Sequence, residues 1–336
     1  LLIAFEEFSI WEPCNSDINN MKHRLLNSIL FHIDNWQEEA FGLMDGYVGL
    51  LYSVLVYSHR NNKPELISKV EAITIIKAEK LKNNLYDIVS GEAGIILFLC
   101  YLYYLNPSHK ILDIAICLAD NLIHSADITD EKIFWKTTDA KKHLLGFSHG
   151  SSGIAHALVS LYRVSSNKKY LNFAKRVLKC EDSFFSKECG YWPDFRTSPP
   201  SQSLSWCNGT LGILLTRIIN SDLIDLSNKK EMINICLKKL LAIKNQDHSI
   251  CHGIYGIVEL IEHIDDESLI SYKHSIKDYI NDILAKTNIY NSGWIDDPFN
   301  IGLFPGKTGS AYVLARYLNE YKGTNSILTI TNLRAL

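Results

Sequence analysis

A chain of 336 residues with 47% hydrophobic and 21% charged side chains has the composition of a globular protein with a sizeable core. A net charge of −3 and the lack of any dense basic run exclude nucleic acid as a partner, because gripping a phosphate backbone needs clustered positive surface. No uncharged apolar stretch reaches the ~18 residues that suggest a membrane span.

The N-terminal run Leu1-Leu2-Ile3-Ala4-Phe5 meets Glu6-Glu7 without the basic flank of a signal peptide. The missing initiator Met points to a trimmed start. Without an export signal, the eight cysteines are expected as thiols or ligands in a reducing cytoplasm. Cys14, Cys100, Cys117, Cys180 and Cys236 have no metal-like neighbour and read as core or incidental residues, while Cys189 adjoins Gly190 and stays open.

Along the chain a G-x-x-G turn recurs at Gly46–Gly49, Gly91–Gly94, Gly150–Gly153, Gly209–Gly212, Gly253–Gly256 and Gly306–Gly309. Copies lie roughly 45 to 60 residues apart, a period of solenoids or closed arrays. After most copies comes a continuously apolar run, such as Ile95-Ile96-Leu97-Phe98-Leu99 or Ile154 to Val159, which predicts a helix buried all round. Between these lie amphipathic segments, one beginning at Ile111, others at Tyr170 to Leu178 and Lys229 to Leu241, which predict half-buried helices.

Alternating buried and half-buried helices describe an inner and an outer layer. An open solenoid needs polar end caps, and none is visible, so the expected fold is all-α, a closed α/α toroid forming one domain over residues 1–336. The paired glycines are expected to allow tight turns and close approach between inner helices. Cys189 to Ser203 reads as a long surface loop leading into Trp206 and Cys207, with Gly293 to Asn300 as its counterpart before the last repeat. Such loops commonly wall a site.

If the inner helices all run one way, the turn residues gather at one end of the ring. His149, Cys207, Cys251 and His252 each lie within two positions of a repeat glycine. Two thiols and an imidazole are donors that zinc accepts, and three protein ligands leave a place for a reacting group. The competing reading makes Cys207 and Cys251 small buried hydrophobes and His252 a core histidine.

The segments Gly146-Phe-Ser-His-Gly-Ser-Ser-Gly-Ile-Ala-His156, Ser205-Trp-Cys-Asn-Gly-Thr-Leu-Gly-Ile213 and Cys251-His-Gly-Ile-Tyr-Gly-Ile257 resemble, in order and spacing, the signatures of the lanthionine synthetase C-like family. The likeness runs from the first G-x-x-G to the last. It implies an α/α toroid, a zinc ion held by the residues matching Cys207, Cys251 and His252, and cyclisation of a dehydrated precursor peptide. In that reaction a cysteine thiol adds to dehydroalanine or dehydrobutyrine to form a thioether ring. His149 matches the family's active-site histidine, and Asp87 its acidic residue ahead of the second repeat.

The chemistry suits these roles. A free thiol, with pKa near ~8.5, is mostly protonated at neutral pH, and zinc removes that proton. Two thiolates and a neutral imidazole already cancel the metal charge, so a bound substrate thiolate stays electron-rich. A histidine can move the protons that addition to an alkene requires. Asp87 would orient that histidine or serve as a helix N-cap. His156 is expected in the core, Trp206 in packing, and Asp194 and Arg196 at the mouth or against peptide.

Three features depart from the resemblance, one being Phe304-Pro305-Gly306-Lys307 in the last repeat, which is more irregular than the family's usual pattern. Ser203 stands where some family members carry an arginine, and the interval between Gly46 and Gly91 leaves no room for the peptide-facing domain that some bacterial cyclases insert there. The resemblance implies association with a dehydratase and an exporter, and so a cytoplasmic protein held peripherally at the membrane. With no other catalytic domain in the chain, a stand-alone cyclase is expected. The alternatives are a zinc protein that binds glutathione or peptide thiols without cyclising them, and a toroidal glycosidase or terpene cyclase. The last needs paired carboxylates, for which Asp296-Asp297 is the nearest candidate.

Overall fold

The computed structural model describes residues 1–130, 132–136, 143–226, 230–242, 247–264, 270–285, 300–321 and 326–330. The segment Gly293 to Phe299, with Asp296-Asp297, and Lys229 lie outside the described residues. The chain opens with α1 (Leu2–Trp11) and α2 (Ser16–Asp34). Helical pairs follow: α3 (Tyr47–Arg60) with α4 (Pro64–Ile76), α5 (Glu92–Leu105) with α6 (His109–His124), and α7 (Ser151–Ser165) with α8 (Lys168–Asp182). Then come α9 (Thr210–Ile219) with α10 (Lys230–Ala242), α11 (Ile254–Glu262) with α12 (Ile270–Leu284), and finally α13 (Lys307–Leu318). The architecture is the α/α toroid that the alternating pattern predicts.

Burial separates the layers as the side chains dictate. In α7 every residue from Ser151 to Leu161 is buried, whereas α8 buries a stripe of Tyr170, Leu171, Phe173, Ala174, Val177, Leu178, Cys180 and Glu181 and turns its lysines outward. The inner helix of each pair packs on its own outer partner and on the next inner helix.

Closure comes from a helix that carries no G-x-x-G. α1 packs against both α13 and α3, so among the described residues the inner ring has seven members rather than the six that the repeat counts. The acidic pair after the apolar start is buried with it. Glu7 meets Arg60 of α3 at 3.2 Å and Arg316 of α13 at 3.8 Å, while Arg316 Nε donates to Glu259 of α11 at 3.0 Å. Buried charges survive only when paired, and these pairs cross the seam where the ring closes.

The loops ahead of the inner helices are stitched to one another by backbone hydrogen bonds. The Met44 N–H donates to Val89 O at 3.0 Å, Ile88 to Ser148 O at 2.9 Å, Ser148 to Cys207 O at 2.9 Å, Trp206 to Cys251 O at 2.8 Å and Ile250 to Phe304 O at 3.1 Å. All six G-x-x-G turns thereby form one collar at one end of the ring.

This collar explains the glycines better than tight turning does. The first glycine of each repeat has extended backbone that any residue adopts. Space is what it lacks: a Cβ on Gly209 would lie 2.4 Å from Ser203 O. The second glycine is pressed on the carbonyl six residues earlier, as at Gly153, where a Cβ would sit 1.9 Å from Phe147 O and 2.5 Å from Ile88 of the preceding repeat. Each collar loop thus folds flat on its own helix, and from Gly94 onward the second glycine also meets an apolar side chain of the preceding repeat.

Two short hairpins interrupt the all-helical expectation. β1 (Asp127–Thr129) pairs antiparallel with β2 (Lys132–Phe134), and β3 (Pro193–Asp194) with β4 (Ser201–Gln202). The second corrects the reading of Cys189 to Ser203 as surface loop, because Trp192 and Asp194 are buried and the Trp192 indole donates to Glu181 O at 3.1 Å. No described helix is long and apolar enough to cross a membrane.

Because the methyl of Gly153→Ala has no space, the variant is expected to lose about 1–3 kcal/mol of stability or more, as overpacked sites do. Urea unfolding measures it, and an unchanged midpoint would show that the loop moves aside freely.

Candidate functional site

Asp87 and His149 belong to adjacent collar loops, and the Ile88–Ser148 backbone bond holds those loops in register. His149 Nδ1 lies 2.7 Å from Asp87 Oδ2. The other carboxylate oxygen accepts the backbone N–H groups of Ser90 at 2.8 Å and Gly91 at 3.1 Å. The two roles weighed for Asp87 therefore coexist, one oxygen capping the turn and the other orienting an imidazole.

The start of α7, directly after His149, is pinned by a buried charge that the sequence reading missed. Glu181 accepts hydrogen bonds from Ser151 Oγ at 2.6 Å, Ser152 Oγ at 2.5 Å and the Gly146 N–H at 3.2 Å, and pairs with Arg217 Nη1 at 2.5 Å. Arg217 is buried too and also reaches Asp182 at 2.8 Å. A signal was present, since Glu181 follows Val177 by four residues and Leu178 by three and so falls on the apolar stripe of α8.

Cys207, Cys251 and His252 converge from the next two loops. His252 Nε2 lies 3.3 Å from Cys207 Sγ, and its Nδ1 lies 2.8 Å from Cys251 Sγ. The Cys207 thiol also donates to Ser205 Oγ at 3.3 Å, and the His252 N–H to Ser249 Oγ at 3.2 Å. Burial alone would raise the Cys207 thiol, but the hydrogen bond and charge of His252, with Ser205 and Arg196, bring it below its ordinary value. Burial disfavours the imidazolium of His252, yet the two sulfurs overcome this and push it up to about 10.

Two thiols, each in contact with one imidazole, form a donor set that suits zinc. The imidazole here lies between the sulfurs, one nitrogen toward each, and among the described residues no three His, Cys, Asp or Glu groups already surround a common point. Were these residues to hold a metal, the two sulfurs would bind it as thiolates and the imidazole in its neutral form.

The collar encloses a cavity of about 910 Å³ lined by His149, Cys207, Cys251, His252 and Arg196, with Asp45, Trp206 and Phe304 among the other walls. Trp206 is buried between Phe147 and Phe304, consistent with a packing role. His156 is a core residue, with Nε2 3.2 Å from Thr329 O. Ser203 secures its own loop: its hydroxyl lies 2.8 Å from Ser205 Oγ and its carbonyl accepts the Thr210 N–H at 3.1 Å.

One wall comes from the buried segment 326–330, whose Ile327 and Ile330 face the cavity. Its carbonyls are taken by side chains around the ring. Trp206 Nε1 donates to Leu328 O at 3.2 Å and the Tyr52 hydroxyl to Ile330 O, while the Ile327 N–H donates to the Tyr312 hydroxyl at 3.1 Å.

Residues 14–328 match the family model described as lanthionine synthetase C-like protein. The chain belongs to that family. Among curated relatives, the lacticin 481/lactococcin biosynthesis protein LcnDR2 of Lactococcus lactis subsp. lactis is 28% identical over 304 residues, covering 82% of this chain. The chain spans about 30% of the length of that relative. Of solved structures, nisin cyclase superposes with a TM-score of 0.74 at 16% identity, covering 98% of this chain and 89% of its own. The Lin0763 protein from Listeria innocua superposes with a TM-score of 0.51 at 13% identity, covering 82% of this chain and 86% of its own. Both support the same fold for this lanthionine synthetase C-like chain.

The contrast among thiols is measurable in metal-free protein. Burial pushes Cys236 up to about 12 and Cys100 further, so iodoacetamide at neutral pH is expected to label Cys207 well ahead of both. Peptide mapping reads the order, and equal labelling of Cys207 and Cys236 would contradict the pairing of Cys207 with His252.

Proposed function

We propose that this protein is a zinc-dependent peptide cyclase that adds cysteine thiols of a dehydrated precursor peptide to dehydroalanine or dehydrobutyrine, forming lanthionine and methyllanthionine rings. The observation that carries the reading is one cavity lined by Cys207, Cys251 and His252 and by His149, whose Nδ1 is held by Asp87. Family membership and the relatives named for lacticin biosynthesis and nisin cyclisation support the same chemistry.

In this reading Cys207, Cys251 and His252 hold the metal, which supplies the Lewis acidity that keeps a substrate thiol deprotonated at neutral pH. Asp87 fixes His149 through Nδ1, which assigns proton movement to Nε2: it takes the thiol proton and returns one to Cα after addition. The apolar cavity walls exclude water that would compete for the alkene. A dehydration reaction must supply the substrate, and a dehydratase and an exporter are the partners that fit this role.

The test is mass spectrometry of a dehydrated precursor peptide after thiol alkylation, with and without the protein. Ring formation is expected to remove alkylatable thiols, and His149→Ala to slow this by about 10²–10⁴, as loss of a general acid–base does. Thiols that persist equally in both arms would leave only thiol binding without cyclisation. Metal analysis is expected to find near-stoichiometric zinc in the wild type and its loss in Cys207→Ala. Zinc-free wild-type protein that cyclises peptide would overturn the metal assignment.

A further inference from the structure

Arg196 faces the same cavity as His149, Cys207 and His252, and is the only Lys or Arg among the described residues that line it. It is held there by a neighbouring carboxylate. Arg196 Nε lies 3.0 Å from both oxygens of Asp194, Nη2 lies 2.6 Å from Oδ2, and the Arg196 backbone N–H donates to Oδ1 at 3.0 Å. Asp194 is itself anchored in the β3–β4 ladder opposite Ser201.

The two partners differ sharply in exposure. The Asp194 side chain is 4% exposed and that of Arg196 is 47% exposed. The carboxylate therefore occupies one edge of the guanidinium, and among the described residues Nη1 makes no hydrogen bond. A fork with one edge clamped and the other open is a preorganised donor, costing little reorganisation when it meets an oxygen.

The reaction of the proposed function, on which this inference rests, generates such an oxygen. As the sulfur lone pair forms the bond to Cβ, the alkene π pair moves toward Cα and onto the adjacent carbonyl oxygen, giving an enolate. The proton given up by the thiol then returns to Cα, the carbonyl re-forms, and no oxidant or reductant is consumed. The negative charge on that oxygen appears inside a largely apolar cavity, where an unassisted anion is costly.

We propose that Arg196 is a catalytic residue whose open guanidinium edge binds the carbonyl oxygen of the dehydro residue and carries the charge that develops there, with Asp194 as its positioning residue. The Asp194 carboxylate keeps the resting site near neutral, so the cation is not a general trap for anions. Its donor edge becomes fully engaged only as the enolate forms.

The test is steady-state cyclisation of a dehydrated precursor peptide by wild type, Arg196→Gln, Arg196→Lys and the double variant Arg196→Gln/Asp194→Asn. Arg196→Gln is expected to lower kcat by about 10²–10³ with KM little changed, the loss typical of removing one preorganised oxyanion donor. Added guanidinium should restore part of that loss, Arg196→Lys should retain an intermediate rate, and zinc content should stay at the wild-type level. The double variant removes the buried carboxylate left unpaired by the single one, so a matching kcat loss at wild-type thermal stability would tie the effect to the guanidinium. Wild-type kcat in Arg196→Gln, or a change confined to KM, would overturn the proposal while leaving the cyclase reading intact. A wild-type arm that forms no rings would overturn the cyclase reading, and this inference with it.

Discussion

The site depends on the backbone ladder that joins the turns ahead of the inner helices. Side chains from Asp87 to His252 are brought together by amides donating from one loop to the carbonyl of the next, and not by long side chains reaching across space. Ser148 and Cys207 show this most directly: the residue before His149 donates to the carbonyl of Cys207 through both its N–H and, at 3.1 Å, its hydroxyl. Displacing any one loop would shift an imidazole or a sulfur together with its neighbours. The glycines serve the same end, because only a residue without Cβ lets each loop lie flat on the helix it precedes.

Buried polar groups do the remaining positioning. Glu181 gathers two serine hydroxyls and a backbone amide at the start of α7, and Arg217 balances its charge. Such a network is costly unless every group is satisfied, and when satisfied it favours one arrangement over near alternatives. At the seam, Glu7, Arg60, Arg316 and Glu259 link α1, α3, α13 and α11 by ion pairs, with Arg60 Nη1 and Glu259 Oε2 left without a hydrogen bond among the described residues. The first network fixes the register of the consecutive helices α7, α8 and α9, and the second that of helices from the two ends of the chain.

Much of this was legible in the residues. The G-x-x-G spacing and the alternation of buried with amphipathic runs led to the toroid, and proximity to the repeat glycines singled out His149, Cys207, Cys251 and His252 before any contact was known. What escaped has physical reasons. α1 lacks the repeat motif and its apolar run is interrupted midway by Glu6 and Glu7, so nothing local marks it as an inner helix. The β3–β4 hairpin is two residues to a strand, below the length at which alternation shows. The motif resemblance selected Asp87, but its dual use could not be foreseen, because each carboxylate oxygen finds its partner only when two loops meet.

The buried segment 326–330 shapes the cavity. With its peptide groups bound by Trp206, His156, Tyr52 and Tyr312, it is tied to residues from several inner helices and turns and walls the cavity with Ile327 and Ile330. Under the proposed function, a peptide entering the cavity would meet this wall at its floor. A peptide that enters as a bend and leaves by the same mouth would bring together two of its own residues distant along its chain.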